Sequence, residues 1–211
     1  MDRSTQIDTF SRFTQVSRET ITSLKEYETY LIKSNKTLNL IGKSTINQIW
    51  LRHFLDSAQV IDFIDKNASD LIDLGSGAGF PGLVIAILVK ARKIPLKVKL
   101  IEKSPRKAFF LREIIQILNL KVEVLNFNVL AQPEKLRADL IIARAFKSLK
   151  IILQFLDENT ENWKKIFLFL GKTGQDEFHQ ASKSWDIKYK QRMSVTSTDS
   201  LVIEINELKK K

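Results

Sequence analysis

The sequence predicts an α/β fold: a mostly parallel, seven-stranded sheet with helices on both faces, preceded by an all-helical cap. Three observations predict it. From residue 69 onward, short apolar runs alternate with stretches of helical spacing, which implies parallel strands joined by right-handed crossovers. At the first strand-to-helix junction stands Asp73-Leu74-Gly75-Ser76-Gly77-Ala78-Gly79, whose alternating glycines permit positive φ and a close backbone approach to a ligand. The last two apolar runs, 185–192 and 201–205, have no helical stretch between them and read as an antiparallel hairpin closing one sheet edge.

Residues 1–68 are assigned to the cap and 69–211 to the sheet-bearing core. In the cap, Ile21, Leu24, Tyr27 or Glu28, and Leu31 follow helical spacing behind Ser17, a good N-cap. A second helical stretch is expected from about Ser44. Thr45 and Gln48 have capping-box spacing there, and Ile46, Ile49, Trp50, His53 and Phe54 form its apolar stripe. The pattern changes at Asn67-Ala68-Ser69. Strands are expected at 71–74, 97–101, 121–125, 139–143 and 166–170, with helices at 83–89, 105–118 and 149–159. Pro105 suits the first position of its helix, where its missing N–H costs nothing.

Composition narrows the chemistry. With no cysteine, the chain has no disulfide, thiolate metal site or cysteine nucleophile. His53 and His179 are the only imidazoles, so no metal centre is expected. The start of the chain lacks the apolar core of a signal peptide and no run is long enough to span a membrane, so a cytoplasmic protein is expected. A net charge of +10 suits a polyanionic partner such as RNA, and equally a lysine-rich solvated surface.

The glycine turn fits two cofactor classes. Gly77, Gly79 and Gly82 satisfy the dinucleotide spacing G-x-G-x-x-G, which would make the chain an NAD(P)-dependent oxidoreductase. In that register, however, Phe80-Pro81 occupies the place where pyrophosphate should meet free helix amides, and proline donates none. The register from Asp73 through Gly75 and Gly77 to Gly79 lies directly at the strand end. It resembles the first motif of Rossmann-like, class I S-adenosylmethionine-dependent methyltransferases. That cofactor carries an ammonium and a sulfonium, and Asp73 is expected to answer their charge. Glu102 ends the second strand and would accept the hydroxyls of a ribose in either class. The terminal antiparallel pair leans toward the methyltransferase.

The acceptor is constrained by what the chain lacks. After the strand at 139–143 comes Arg144-Ala145-Phe146, with no Asn/Asp-Pro-Pro-aromatic stretch of the kind that holds an exocyclic amine. Without cysteine, carbon-5 chemistry on pyrimidines is also excluded. Guanine N7 already owns a lone pair, so it needs positioning and no general base.

Several stretches together carry a more specific resemblance: Asn35-Lys36 with Asn39-Leu40, Arg52-His53 with Asp56-Ser57, Asp73 to Gly82, and Arg144-Ala145-Phe146. Over about residues 35–149 the chain resembles the glucose-inhibited division protein B family, the ribosomal RNA small subunit methyltransferase G family. The resemblance implies N7-methylation of one guanine in 16S rRNA, with the RNA or the small ribosomal subunit as partner. It implies that Gly75 and Phe80 contact the cofactor, that Asn128 and Val129 hold the adenine edge, and that Arg144 completes the pocket. Arg52 and His53 would then bind RNA phosphate or the target base at the pocket mouth, oriented by Asp56 and Ser57. The plainer alternative is a helical His53–Asp56 pair at i,i+3. Arg106, Lys107 and Lys172 are further candidates for phosphate contact, and Trp50, Trp163 and Trp185 are expected in the core. The chain is expected to act as a monomer. A non-catalytic RNA-binding protein and a small-molecule methyltransferase are the remaining alternatives.

Overall fold

The computed structural model describes residues 1–131 and 135–211. Helix α1 (Arg3–Thr14) starts on Asp2, whose carboxylate accepts the Thr5 N–H, and ends on Gln15 in the left-handed region. Helix α2 (Arg18–Leu38) starts on Ser17 as expected and buries Leu24, Tyr27, Glu28 and Leu31. The next stretch is helical but not regular. A 3-10 segment (Lys43–Gln48) leads to a π-helical turn (Trp50–Leu55), which runs into the short α3 (Asp56–Ala58). The expected capping box does not form there. The Thr45 hydroxyl donates instead to Gly42 O and lies 2.9 Å from His53 Nε2. Such π turns occur mostly as local bulges at functional sites.

The core follows as β1 (Asp70–Leu74), α4 (Gly82–Ala91), β2 (Lys97–Ile101), α5 (Pro105–Ile117), β3 (Val122–Leu125), β4 (Leu136–Arg137), β5 (Leu140–Arg144), α6 (Leu149–Asn159), β6 (Thr160–Glu161), β7 (Lys165–Leu170), α7 (Gly174–Ser182), β8 (Trp185–Ser194) and β9 (Ser197–Lys210). The seven-stranded sheet has the order β3-β2-β1-β5-β7-β9-β8, with β4 and β6 forming a small separate pair. Strands β3, β2, β1, β5 and β7 are parallel, whereas β9 runs antiparallel to β7 and β8 antiparallel to β9. The expected terminal hairpin is therefore present and longer than its apolar runs.

Alternation along each strand divides the core between the sheet's two faces. Leu71, Ile142 and Phe167 point toward α4, α5 and the cap, in one cluster that also holds Phe10, Leu24, Trp50 and Phe54. Ile72, Ile141 and Leu168 point the other way, toward α6, α7 and Trp185. Both faces are thus covered, as a parallel sheet requires. Trp50 and Trp185 are buried and Trp163 is half-buried. Helix α7 is an addition to the expected elements. Its sequence offers only Phe178 as a large buried anchor, so its periodicity is weak. Among the described residues no helix is long and apolar enough to cross a membrane, and none group as metal ligands.

Candidate active site at the switch of strand order

Strand β1 pairs with β2 on one side and with β5 on the other, so sheet growth reverses between β1 and β5. Open α/β sheets bind ligands at such a point, beyond the carboxyl ends of the strands. The register Leu74↔Ala143 brings the glycine turn and Arg144 together. A cavity of about 470 Å³ opens between them, within the range of small-molecule sites.

The turn is fixed from several sides. The amides of Gly75 and Ser76 both donate to Ile101 O, at 2.9 and 3.0 Å. Tyr27 of α2 donates its hydroxyl to Ala78 O. Glu102 Oε2 accepts the Gly77 N–H at 2.9 Å and its Oε1 the Ser104 N–H at 2.7 Å, which locks the turn to the end of β2. Two glycines are sterically required. A Cβ on Gly75 (φ +72°) would stand 2.3 Å from the Phe146 ring, and one on Gly79 (φ +95°) 2.6 Å from the Tyr27 hydroxyl. Gly75, Gly77, Phe80 and Glu102 line the cavity, whereas Gly79 faces the cap.

Asp73 does not line the cavity, in contrast to the sequence expectation. It is completely buried and accepts the Gly82 N–H at 3.0 Å through Oδ2, while Oδ1 has no partner. Burial pushes its carboxyl up to about 7, partly opposed by the Gly82 amide. The reason for this placement is steric. Gly82 lacks the Cβ that would sit 2.6 Å from Oδ2, so the carboxylate can seat against the start of α4. The same contact removes the dinucleotide alternative's anion site, because Pro81 has no N–H and that of Gly82 is engaged.

The cap supplies one cavity wall. His53 stacks on Phe80 (centroids 4.9 Å apart), and Phe80 stacks on Tyr27 (5.6 Å). Burial, with help from Arg144 and Arg52, lowers the His53 imidazole to about 3, so it is neutral near pH 7. Leu40, Ile41 and Gly42 also line the cavity. Asn35 holds them: its Oδ1 accepts the amides of Leu40 (2.6 Å) and Ile41 (2.9 Å), and its Nδ2 donates to Ile41 O. That gives the Asn35–Leu40 spacing a physical reason.

The His53–Asp56 pair does not form, nor does Asp56 orient His53. Asp56 Oδ2 meets Arg144 Nη2 at 3.1 Å, and Oδ1 accepts from Gln59, Ser194 and Thr196. Arg144 Nη2 also donates to Arg52 O at 2.6 Å, while its Nη1 is buried without a partner. Burial pulls the Arg144 guanidinium below its ordinary value, against the pull of Asp56. Ser57 is wholly buried and its hydroxyl is unpaired. Arg52 and Asp56 lie outside the main cavity. They border a second cavity on which Arg144 also opens.

Asn128 and Val129 line the main cavity where expected. The sequence reading did not single out Phe127 there, and it named Phe146 only within a motif; their apolar character at strand ends was the available signal. Lys107 reaches the rim, whereas Arg106 donates to Thr37 O and Lys172 lies on the exposed surface beyond β7.

A family model described as rRNA small subunit methyltransferase G matches residues 20–204. The Ribosomal RNA small subunit methyltransferase G of Pelagibacter ubique is 39% identical over 198 residues, covering 93% of this chain and 92% of its own. The protein of the same name from Rhodospirillum centenum is 37% identical, with 92% and 87% covered. Among solved structures, a TehB-like SAM-dependent methyltransferase from Corynebacterium glutamicum superposes with a TM-score of 0.56 at 15% identity, covering 84% of this chain and 97% of that one. A ribosomal protein L11 methylase from Lactobacillus delbrueckii gives 0.52 at 17%, with 71% and 75% covered. These two likenesses concern the fold, which is that of class I methyltransferases. With the glycine turn, Glu102, His53 and Arg144 gathered at one switch point and relatives matched along nearly the whole chain, this protein belongs to the rRNA small subunit methyltransferase G family.

Proposed function

We propose that the chain transfers a methyl group from S-adenosylmethionine to N7 of one guanine in 16S rRNA, by direct displacement and without a general base. The residues present fit that cofactor. A carboxylate has about four lone-pair positions, so Glu102 keeps acceptor capacity for ribose hydroxyls after receiving two backbone amides. Asn128 and Val129 would hold the adenine edge, with Phe127 and Phe146 supplying apolar walls. Arg144, with its unpartnered Nη1, would fix the polar end, and Gly75, Gly77 and Phe80 would border the group. When bound, this cofactor supplies an electrophilic sulfonium methyl.

One observation carries the acceptor assignment: the imidazole at the cavity, His53, is held at about 3 by burial and by Arg144 and Arg52, so it is a poor proton acceptor near pH 7. An exocyclic amine would need to lose a proton, whereas N7 carries none. The role of His53 is then to present a neutral, stacked face to the base, and that of Arg144 to hold charge without moving a proton. Residues 1–68 serve as the helical cap and 69–211 as the S-adenosylmethionine-binding core. We also propose that the protein works as a cytoplasmic monomer. Incubation with tritiated S-adenosylmethionine and small ribosomal subunits, followed by aniline cleavage, tests the proposal. Label and cleavage at a single guanine are expected; absence of transfer to any small-subunit RNA contradicts it.

A further inference from the structure

Beyond Arg144 lies a second cavity of about 210 Å³, bordered by Arg52, Asp56, Arg144, Gly171, Ser194 and Thr196. It shares Arg144 and Ala145 with the cofactor cavity, so the two adjoin at that dipeptide. Ala145 adopts φ +48°, a left-handed conformation that an L-residue holds at a cost and that clusters at binding sites.

The charges in this cavity do not balance. Asp56 is the one carboxylate among its lining residues, and its oxygens already receive Arg144, Gln59, Ser194 and Thr196. Arg52 is half-buried, and among the described residues its guanidinium has neither an ion-pair nor a hydrogen-bond partner. A half-buried, unpaired cation at the edge of a cavity favours an anion there. A guanine base would suit the cavity poorly. Its N1–H and N2–H₂ donors would find the only carboxylate saturated, and its N7 has to remain free beside the first cavity. A phosphodiester brings acceptors only, and guanidinium is the group that grips it with parallel N–H bonds.

We propose that this second cavity holds a backbone phosphate of the target RNA, gripped by Arg52, so that the attached guanine is delivered past the Arg144–Ala145 partition to the cofactor cavity. The inference rests on the rRNA methyltransferase reading and decides, for Arg52, between the phosphate and base contacts that the resemblance left open, placing the phosphate in a cavity of its own. Asp56 keeps Arg144 in the partition and Arg52 makes the contact.

Arg52→Gln and Arg52→Lys test the assignment, with RNA binding measured across a salt series and S-adenosylhomocysteine binding measured by calorimetry. For Arg52→Gln, the expected result is roughly tenfold weaker RNA binding and a salt slope reduced by about one phosphate contact. S-adenosylhomocysteine affinity stays within about twofold by the same argument, since the side chain lies outside that cavity. Arg52→Lys should restore part of the RNA affinity. Replacing single phosphates by neutral methylphosphonates near the target guanine should weaken the wild type at one position and leave Arg52→Gln unaffected there. An unchanged salt slope, or equal methylphosphonate effects in both proteins at every position, overturns the proposal. Because these readouts measure binding, failure of methyl transfer in the wild type would count against the function alone.

Discussion

Asp56 Oδ2 stands 3.1 Å from Arg144 Nη2, and this ion pair joins the helical cap to the end of the strand that borders the cofactor cavity. The other Asp56 oxygen receives Ser194 and Thr196 from the terminal hairpin. One carboxylate therefore ties together three distant parts of the chain, and with them the partition between two cavities.

Asp56→Asn should leave the Arg144 charge without its counter-ion. Breaking a largely buried pair from one side costs about 3–5 kcal/mol, readable as a lower urea midpoint. S-adenosylhomocysteine binding should weaken with it, because Arg144 opens on that cavity. Unchanged stability and affinity would show that the pair is dispensable.

Gly75→Val should abolish cofactor binding while retaining the far-UV circular dichroism of the fold. The added Cβ would collide with the Phe146 ring at 2.3 Å, and a β-branched residue resists φ +72°. Calorimetric titration with S-adenosylhomocysteine checks this, and wild-type affinity contradicts it.

Tyr27→Phe removes the hydroxyl that donates to Ala78 O and leaves a buried carbonyl short of a donor. A loss of about 1–3 kcal/mol is expected in urea unfolding. The glycine turn should also bind cofactor more weakly, since this bond connects it to α2.

The pH dependence of stability has two opposed contributions. His53 has a folded value of about 3 against an ordinary 6.5, so its contribution is full above about 6.5 and is lost as the pH falls toward 3. Asp73 has a folded value of about 7 against 3.8, so its contribution is full below about 3.8 and is lost as the pH rises to 7. Asp73→Asn should therefore gain stability relative to the wild type between about pH 4.5 and about pH 7.5. Urea melts at both ends check the sign, and a difference independent of pH contradicts the buried-carboxyl account.

Much of the fold was legible because local signals and tertiary packing agree. Ser17 caps α2, Pro105 opens α5, and the apolar runs of the parallel strands are buried on both faces. The π turn at Trp50–Leu55 was not legible, since its apolar stripe fits an α-helix and only tertiary contacts select the wider turn. At the site, spacing located the glycine turn, Glu102 and Arg144, whose positions follow from strand ends. Spacing misplaced Asp73 because orientation at a strand end depends on which neighbour lacks a Cβ, here Gly82. It also paired Asp56 with His53, its neighbour along the helix, when the actual partner lies 88 residues away on β5. Such long-range pairings leave no periodic trace.

Nucleoside mass spectrometry of small-subunit RNA, before and after incubation with the protein and S-adenosylmethionine, tests the central claim most directly. The account predicts one added 7-methylguanosine per subunit. A methyl on an exocyclic amine or a carbon, or none at all, would contradict it.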